Sequence, residues 1–128
     1  MIVFHFGPLS KDELTIDFDE EGAGFLLSKI SALIDGIKSV EHVGSLHLFR
    51  NDLEEAIIEL RLGVLDRLEM KKNSLFLEIS LDALGYALHQ LTEFLERGYF
   101  FPSEFWSFSR EGRKYDTQVF FGKLSSRE

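Results

Sequence analysis

The side chains able to do chemistry here are four histidines, 22 carboxylates, scattered serines and no cysteine. A zinc helix needs ligands at i and i+4 on one face, and no pair among His5, His42, His47 and His89 has that spacing on a single helix. His42 and His47 lie five apart beside Glu41. The missing cysteines exclude thiolate zinc sites, CxxC redox chemistry and a cysteine nucleophile. Gly22-Ala23-Gly24 next to a helix start is a fragment of a phosphate loop, but Asp19, Glu20 and Glu21 would repel a phosphate there. No GxSxG elbow places a nucleophilic serine, and carboxylate pairs such as Asp17 and Asp19 read as the wet edge of a strand. The sequence offers no positive sign of catalysis, of a metal or of a cofactor, so the expectation is a non-enzyme.

Two clusters carry more information. Asp12, Glu13, Asp17, Asp19, Glu20 and Glu21 place six acids within ten positions, and Asp52, Glu54 and Glu55 add three more near an expected turn. Such a surface complements a cationic site on another protein, raising the association rate and fixing register. Asp17, Asp19, Glu20, Glu21, Asp52, Glu54 and Glu55 are therefore the candidate partner-binding residues. The second cluster is Tyr99-Phe100-Phe101-Pro102 with Phe105, Trp106 and Phe108, which reads as a lid over the apolar face of the preceding helix. If the domain instead holds a pocket between sheet and helices, His42, His47, Tyr99 and Trp106 are its candidate lining.

Elements must position these residues. Leu14, Ile16 and Phe18 alternate with Glu13, Thr15 and Asp17 as a half-buried strand. Val3 to Phe6 precedes it as a strand, with Gly7 to Asp12 as the turn. The acids at 19–21 suit a helix start, and Phe25, Leu26, Ile30, Leu33 and Ile34 form an apolar stripe up to Gly36. Leu46 to Phe49 reads as a strand, whereas Lys38 to Ser45 has little pattern. Residues 52–70 fit a turn near 51–55 with strands at 56–62 and 64–70, or one helix over 52–69. A hairpin at Lys71 to Ser74 leads into Leu75 to Ile79, a helix follows from Asp82 to Arg97, and a last hairpin pairs 105–109 with 117–122.

Shifting the sequence by 61 lays Leu14 to Phe18 on Leu75 to Ile79 and Ile30 on Leu91. That pattern favours strands in 56–70 and predicts one α+β domain over 1–128. It would hold a largely antiparallel sheet with two helices on one face, as two ββαββ repeats over 1–62 and 63–123.

The formal charge is −8, with 12 acids and 5 bases in residues 1–64 against 10 acids and 9 bases in 65–128. This sign disfavours nucleic acid and favours a basic protein partner. Apolar runs are too short to span a membrane and no secretory signal opens the chain, which predicts a cytoplasmic protein.

Between Asp17 and Leu48 the order is strand, Asp19-Glu20-Glu21-Gly22, apolar helix, then a strand carrying Leu46-His47-Leu48. Over residues 12–50 this resembles the immunity proteins of bacterial polymorphic toxin systems, of the type called immunity protein 32. The resemblance implies a cytoplasmic protein that neutralises a cognate toxin by binding it. Two other readings stand beside it: a small-molecule-binding or enzymatic domain with the pocket above, and a homodimeric subunit pairing strand edges.

Overall fold

The strict alternation of Glu13–Phe18 does form a strand, β2, paired antiparallel with β1 (Ile2–Phe6) so that Phe4 faces Ile16 and Ile2 faces Phe18. The computed structural model describes residues 1–7 and 10–124. The turn expected from Gly7 to Asp12 includes Pro8 and Leu9, which lie outside the described residues. Asp19 ends β2 and caps helix α1 (Glu20–Ile34), its carboxylate accepting from the Gly22 N–H at 2.7 Å.

Helix α1 leads into β3 (Val40–Phe49) and β4 (Asp52–Leu62), joined through Arg50 and Asn51, both at positive φ. Then come β5 (Arg67–Lys71) and β6 (Ser74–Ile79), with Lys72 at φ 53° in the turn. Ser80 caps helix α2 (Leu81–Arg97), which stops at Gly98 in the left-handed conformation. The chain closes with β7 (Glu104–Phe108) and β8 (Thr117–Lys123).

The sheet runs β5-β6-β4-β3-β1-β2-β8-β7. Hairpin neighbours pair antiparallel, but β1–β3, β2–β8 and β4–β6 pair parallel. The sheet is thus mixed, correcting the largely antiparallel expectation: a helix between β2 and β3 returns the chain parallel to β1, and each half joins the other through parallel strands. The two ends of the sheet meet again where Leu68 N–H donates to the Ser109 carbonyl and Ser109 N–H to that of Asp66, both at 2.9 Å. The result is a nearly closed, barrel-like sheet.

One face of this sheet is the core face. Ile2, Phe4, Leu14, Ile16, Phe18, Val43, Ile58, Leu60, Leu75, Leu77, Val119 and Phe121 are buried there with Leu26, Ile30 and Leu33 of α1 and Leu84, Leu91 and Phe94 of α2. The helices also pack against each other. α1 packs against β2, β3 and β4 and α2 against β7, and both give their buried side chains to this one core, so both helices stand on the core face, the inner face of the curled sheet.

Three local expectations change. Residues 52–69 are not one helix: Ala56, Ile58 and Leu60 are buried at a period of two, and the hairpin turn takes only Arg50 and Asn51, so β4 begins at Asp52 rather than after a turn at 51–55. The strand at Leu46 extends back to Val40. Its pattern is blurred because polar Glu41, Ser45 and His47 occupy the inner face, Glu41 pairing with Lys29 of α1 at 3.6 Å. Phe25 is 50% exposed. The face of α1 that packs runs through Gly22, Ala23, Leu26, Ile30 and Leu33, since Gly22 lets the helix approach the Met1 carbonyl and Ile2.

Candidate functional site

The helices leave part of the inner face uncovered. α1 starts beside Met1, and the chain re-enters the sheet at Val40, six residues before Leu46, the partner of Val3. That offset is about 20 Å of strand, so α1 covers the inner face in the direction away from Phe6. At the helix-free end Phe6, His47, Phe49 and Met70 surround a cleft of about 530 Å³.

Its packing is aromatic. The His47 ring stacks on Phe4 at 4.8 Å with 10° between planes, meets Phe6 edge-on at 6.4 Å and lies 5.7 Å from Phe49. Burial holds the His47 imidazole below its usual pKa; Glu54, its cross-strand neighbour, opposes this and His5 adds to it. Lys11, Arg50, Arg110 and Arg113 also line the cleft. The Arg110 guanidinium lies over Phe6 and that of Arg50 over Phe49, each at 5.0 Å. Arg113 reaches Asp12 at 3.8 Å. Burial, then the charge of Arg113, pulls the Arg110 pKa down, with Asp12 opposing.

The sequence-predicted pocket residues do not converge. Only His47 lines the cleft. His42 is exposed on the outer face, bonded to Glu59 at 3.0 Å. Tyr99 is exposed after α2, and Trp106 packs near Tyr86 and donates its indole N–H to Asp66 at 3.0 Å. Lys11, Arg50, Arg110, Arg113, Phe6 and Met70 went unpredicted as a group. The signal was three bases, Arg110, Arg113 and Lys114, just beyond the aromatic run.

The seven candidate acids fall into three places. Asp17 and Glu55 share the outer face, in a row where Asp17 pairs with Val3, Val3 with Leu46, and Leu46 with Glu55. Burial raises the Asp17 pKa, His5 lowering it in part. Asp19, Glu20 and Glu21 stand at the start of α1; Asp19 bonds the N-terminal amine, which holds its carboxyl below the usual range. Asp52 and Glu54 project from the other face of β4, Glu54 opposite His47. Among the described residues, Glu20, Glu21, Asp52, Glu54 and Glu55 are exposed and form no ion pair.

No three His, Asp or Glu side chains among the described residues are grouped to hold a metal ion, and no helix there is long and apolar enough to cross a membrane. Comparison with known protein families, with curated proteins and with solved structures gives no match.

Proposed function

We propose that this protein is a non-catalytic binding module that docks a basic protein partner on the β3–β4 hairpin, in the manner of an immunity protein occupying a cationic toxin site. The observation that carries this reading is the hairpin's far end. Asp52, Glu54 and Glu55 are exposed and unpaired among the described residues, beside Leu48, Phe49 and Leu53, which are 36%, 49% and 56% exposed. Apolar anchors bordered by unneutralised carboxylates suit a protein interface whose association is steered by charge. Arg50, held over Phe49, is the one cation in the turn between these strands. Glu20 and Glu21 extend the same sign at the start of α1.

The same reading treats the chain as two ββαββ units. In each, the first two strands pair antiparallel, as do the last two, and a helix stands between. Phe6 opposite Leu14 corresponds to Met70 opposite Leu75.

The test is a charge reversal at exposed carboxylates that form no ion pair among the described residues. A partner captured from the source cell binds the parent with an association rate that falls as salt rises. Glu54→Lys with Glu55→Lys should slow that rate and flatten its salt dependence, with the thermal melt unchanged. An unaltered rate removes the hairpin acids from the interface.

A further inference from the structure

The cleft at the helix-free end inverts the charge of the molecule around it. In a chain of net charge −8, Lys11, Arg50, Arg110 and Arg113 line the cleft and no acid does among the described residues; Asp12 is engaged by Arg113, and Asp52 and Glu54 stand across the β3–β4 pair from Phe49 and His47. Arg110 is half-buried on the Phe6 ring, and no carboxylate pairs with it among the described residues. Arg110 is thus partly withdrawn from water, and Asp12, the acid that attracts it, is bonded to Arg113, so an anion arriving in the cleft would form charge-assisted bonds with it.

The walls specify what else that anion carries. The Phe6 and Phe49 rings, each with a guanidinium over one face, the edge of the buried His47 ring and the Met70 thioether give the cleft polarisable walls. A volume of about 530 Å³ fits one small molecule. The two sides also differ. Lys11, Arg110 and Arg113 come from the β1–β2 and β7–β8 connections, whereas His47 and Phe49 come from β3 and Arg50 from the turn after it. His47 lies beside Phe4 in the parallel β1–β3 pair, and Arg110 follows Ser109, the bridge partner of Arg67, at the other closing point of the sheet. A ligand spanning the cleft would therefore meet Arg110 over Phe6 on one side and Arg50 over Phe49 on the other.

We infer that this cleft is a binding site for a small aromatic anion, a ring system bearing a carboxylate or a phosphate. The cleft shares Leu48, Phe49 and Arg50 with the proposed partner surface, but Lys11, Arg110 and Arg113 lie outside the hairpin, so variants at those positions test the cleft apart from the partner reading.

Calorimetric titration of the full chain with 2-naphthoate, adenosine 5′-monophosphate, inorganic phosphate and 2-naphthalenemethanol tests this. At least one aromatic anion should bind saturably, and whichever binds more tightly tells carboxylate from phosphate. The neutral alcohol and inorganic phosphate should each bind about tenfold more weakly or not at all, since each lacks one half of the recognition. Arg110→Gln should weaken the aromatic anion about tenfold or more, as should the exposed Arg113→Gln if the first variant fails to fold, while His42→Ala on the outer face should leave it unchanged. Failure of both aromatic anions to bind, full affinity in the arginine variants, or equal affinity for the alcohol or for inorganic phosphate overturns the proposal.

Discussion

The carboxylate of Asp17 occupies the space that a side chain on Gly122 would take, because the two residues face each other across the parallel β2–β8 pair. Gly122 thus makes room for a charged group on the outer face. The crowding leaves that group half-buried, which raises its pKa despite His5 nearby.

Asp17→Asn should therefore stabilise the protein near neutral pH. With its pKa raised on folding, the carboxyl group favours the folded state fully only below its unfolded pKa of about 3.9, and that contribution is lost as pH rises through the folded value. Urea midpoints at pH 7 and pH 3 measure the effect: the asparagine variant should lead at pH 7, and its lead should shrink at pH 3. An equal difference at both pH values would mean that ionisation of Asp17 is not its cause.

Two glycines in the first turns of α1 should respond with opposite signs to alanine. A Cβ on Gly22 would overlap the Met1 carbonyl and crowd Ile2, so Gly22→Ala forces the helix off the β1 end and should cost about 1–3 kcal/mol. Nothing stands within 4 Å of a Cβ on Gly24, and Gly24→Ala should gain about 0.5–1 kcal/mol from helix propensity. Chemical denaturation of both variants decides.

The packing face of each helix is open to the same measurement. Leu26→Ala and Leu91→Ala, at side chains 5% and 0% exposed, should each lose about 2–5 kcal/mol. Phe25→Ala should lose less than about 1 kcal/mol, because an exposed ring leaves no cavity behind.

Asp66 joins three parts of the chain. One oxygen accepts the Ser80 N–H at 2.8 Å; the other accepts the Ser80 hydroxyl at 3.1 Å and the Trp106 indole N–H at 3.0 Å. Asp66→Ala strands these donors and should cost about 1–3 kcal/mol, with Asp66→Asn losing less. Trp106 is the sole tryptophan, so its emission maximum reports whether the indole has lost its partner. An unshifted spectrum in Asp66→Ala would show that this bond does not hold the ring.

The helices and the strands that alternate cleanly were legible because their apolar periods are unbroken, as at Leu14-Ile16-Phe18 and Leu75-Leu77-Ile79. β3 was half hidden because its inward positions include Glu41, which meets a lysine on α1, His47, which stacks on a ring of β1, and Ser45, whose buried hydroxyl has no hydrogen-bond partner among the described residues. Parallel pairing between distant strands leaves no local mark, so a mixed sheet could not be read from the residues that form it. The cleft was illegible for the same reason. Phe6, His47, Met70 and Arg110 are spread over more than 100 positions and meet only once the sheet curls. The acidic hairpin residues were visible as composition, but not their division between two faces of one strand, which the register of β4 decides.

The strand order makes the chain a clasp. β3 and β4 lie in one block with β5 and β6, and β1 and β2 lie in another with β7 and β8; the six-residue parallel pairings β4–β6 and β2–β8 lock the first half of the sequence to the second. The blocks touch at Val3–Leu46 and Phe4–His47 on one side and at Arg67–Ser109 on the other. Cutting the exposed Val64–Leu65 link would therefore not yield two separable domains, since each fragment would carry half of both blocks. The nicked protein should elute as a single species, and fragments made apart should become ordered only when mixed.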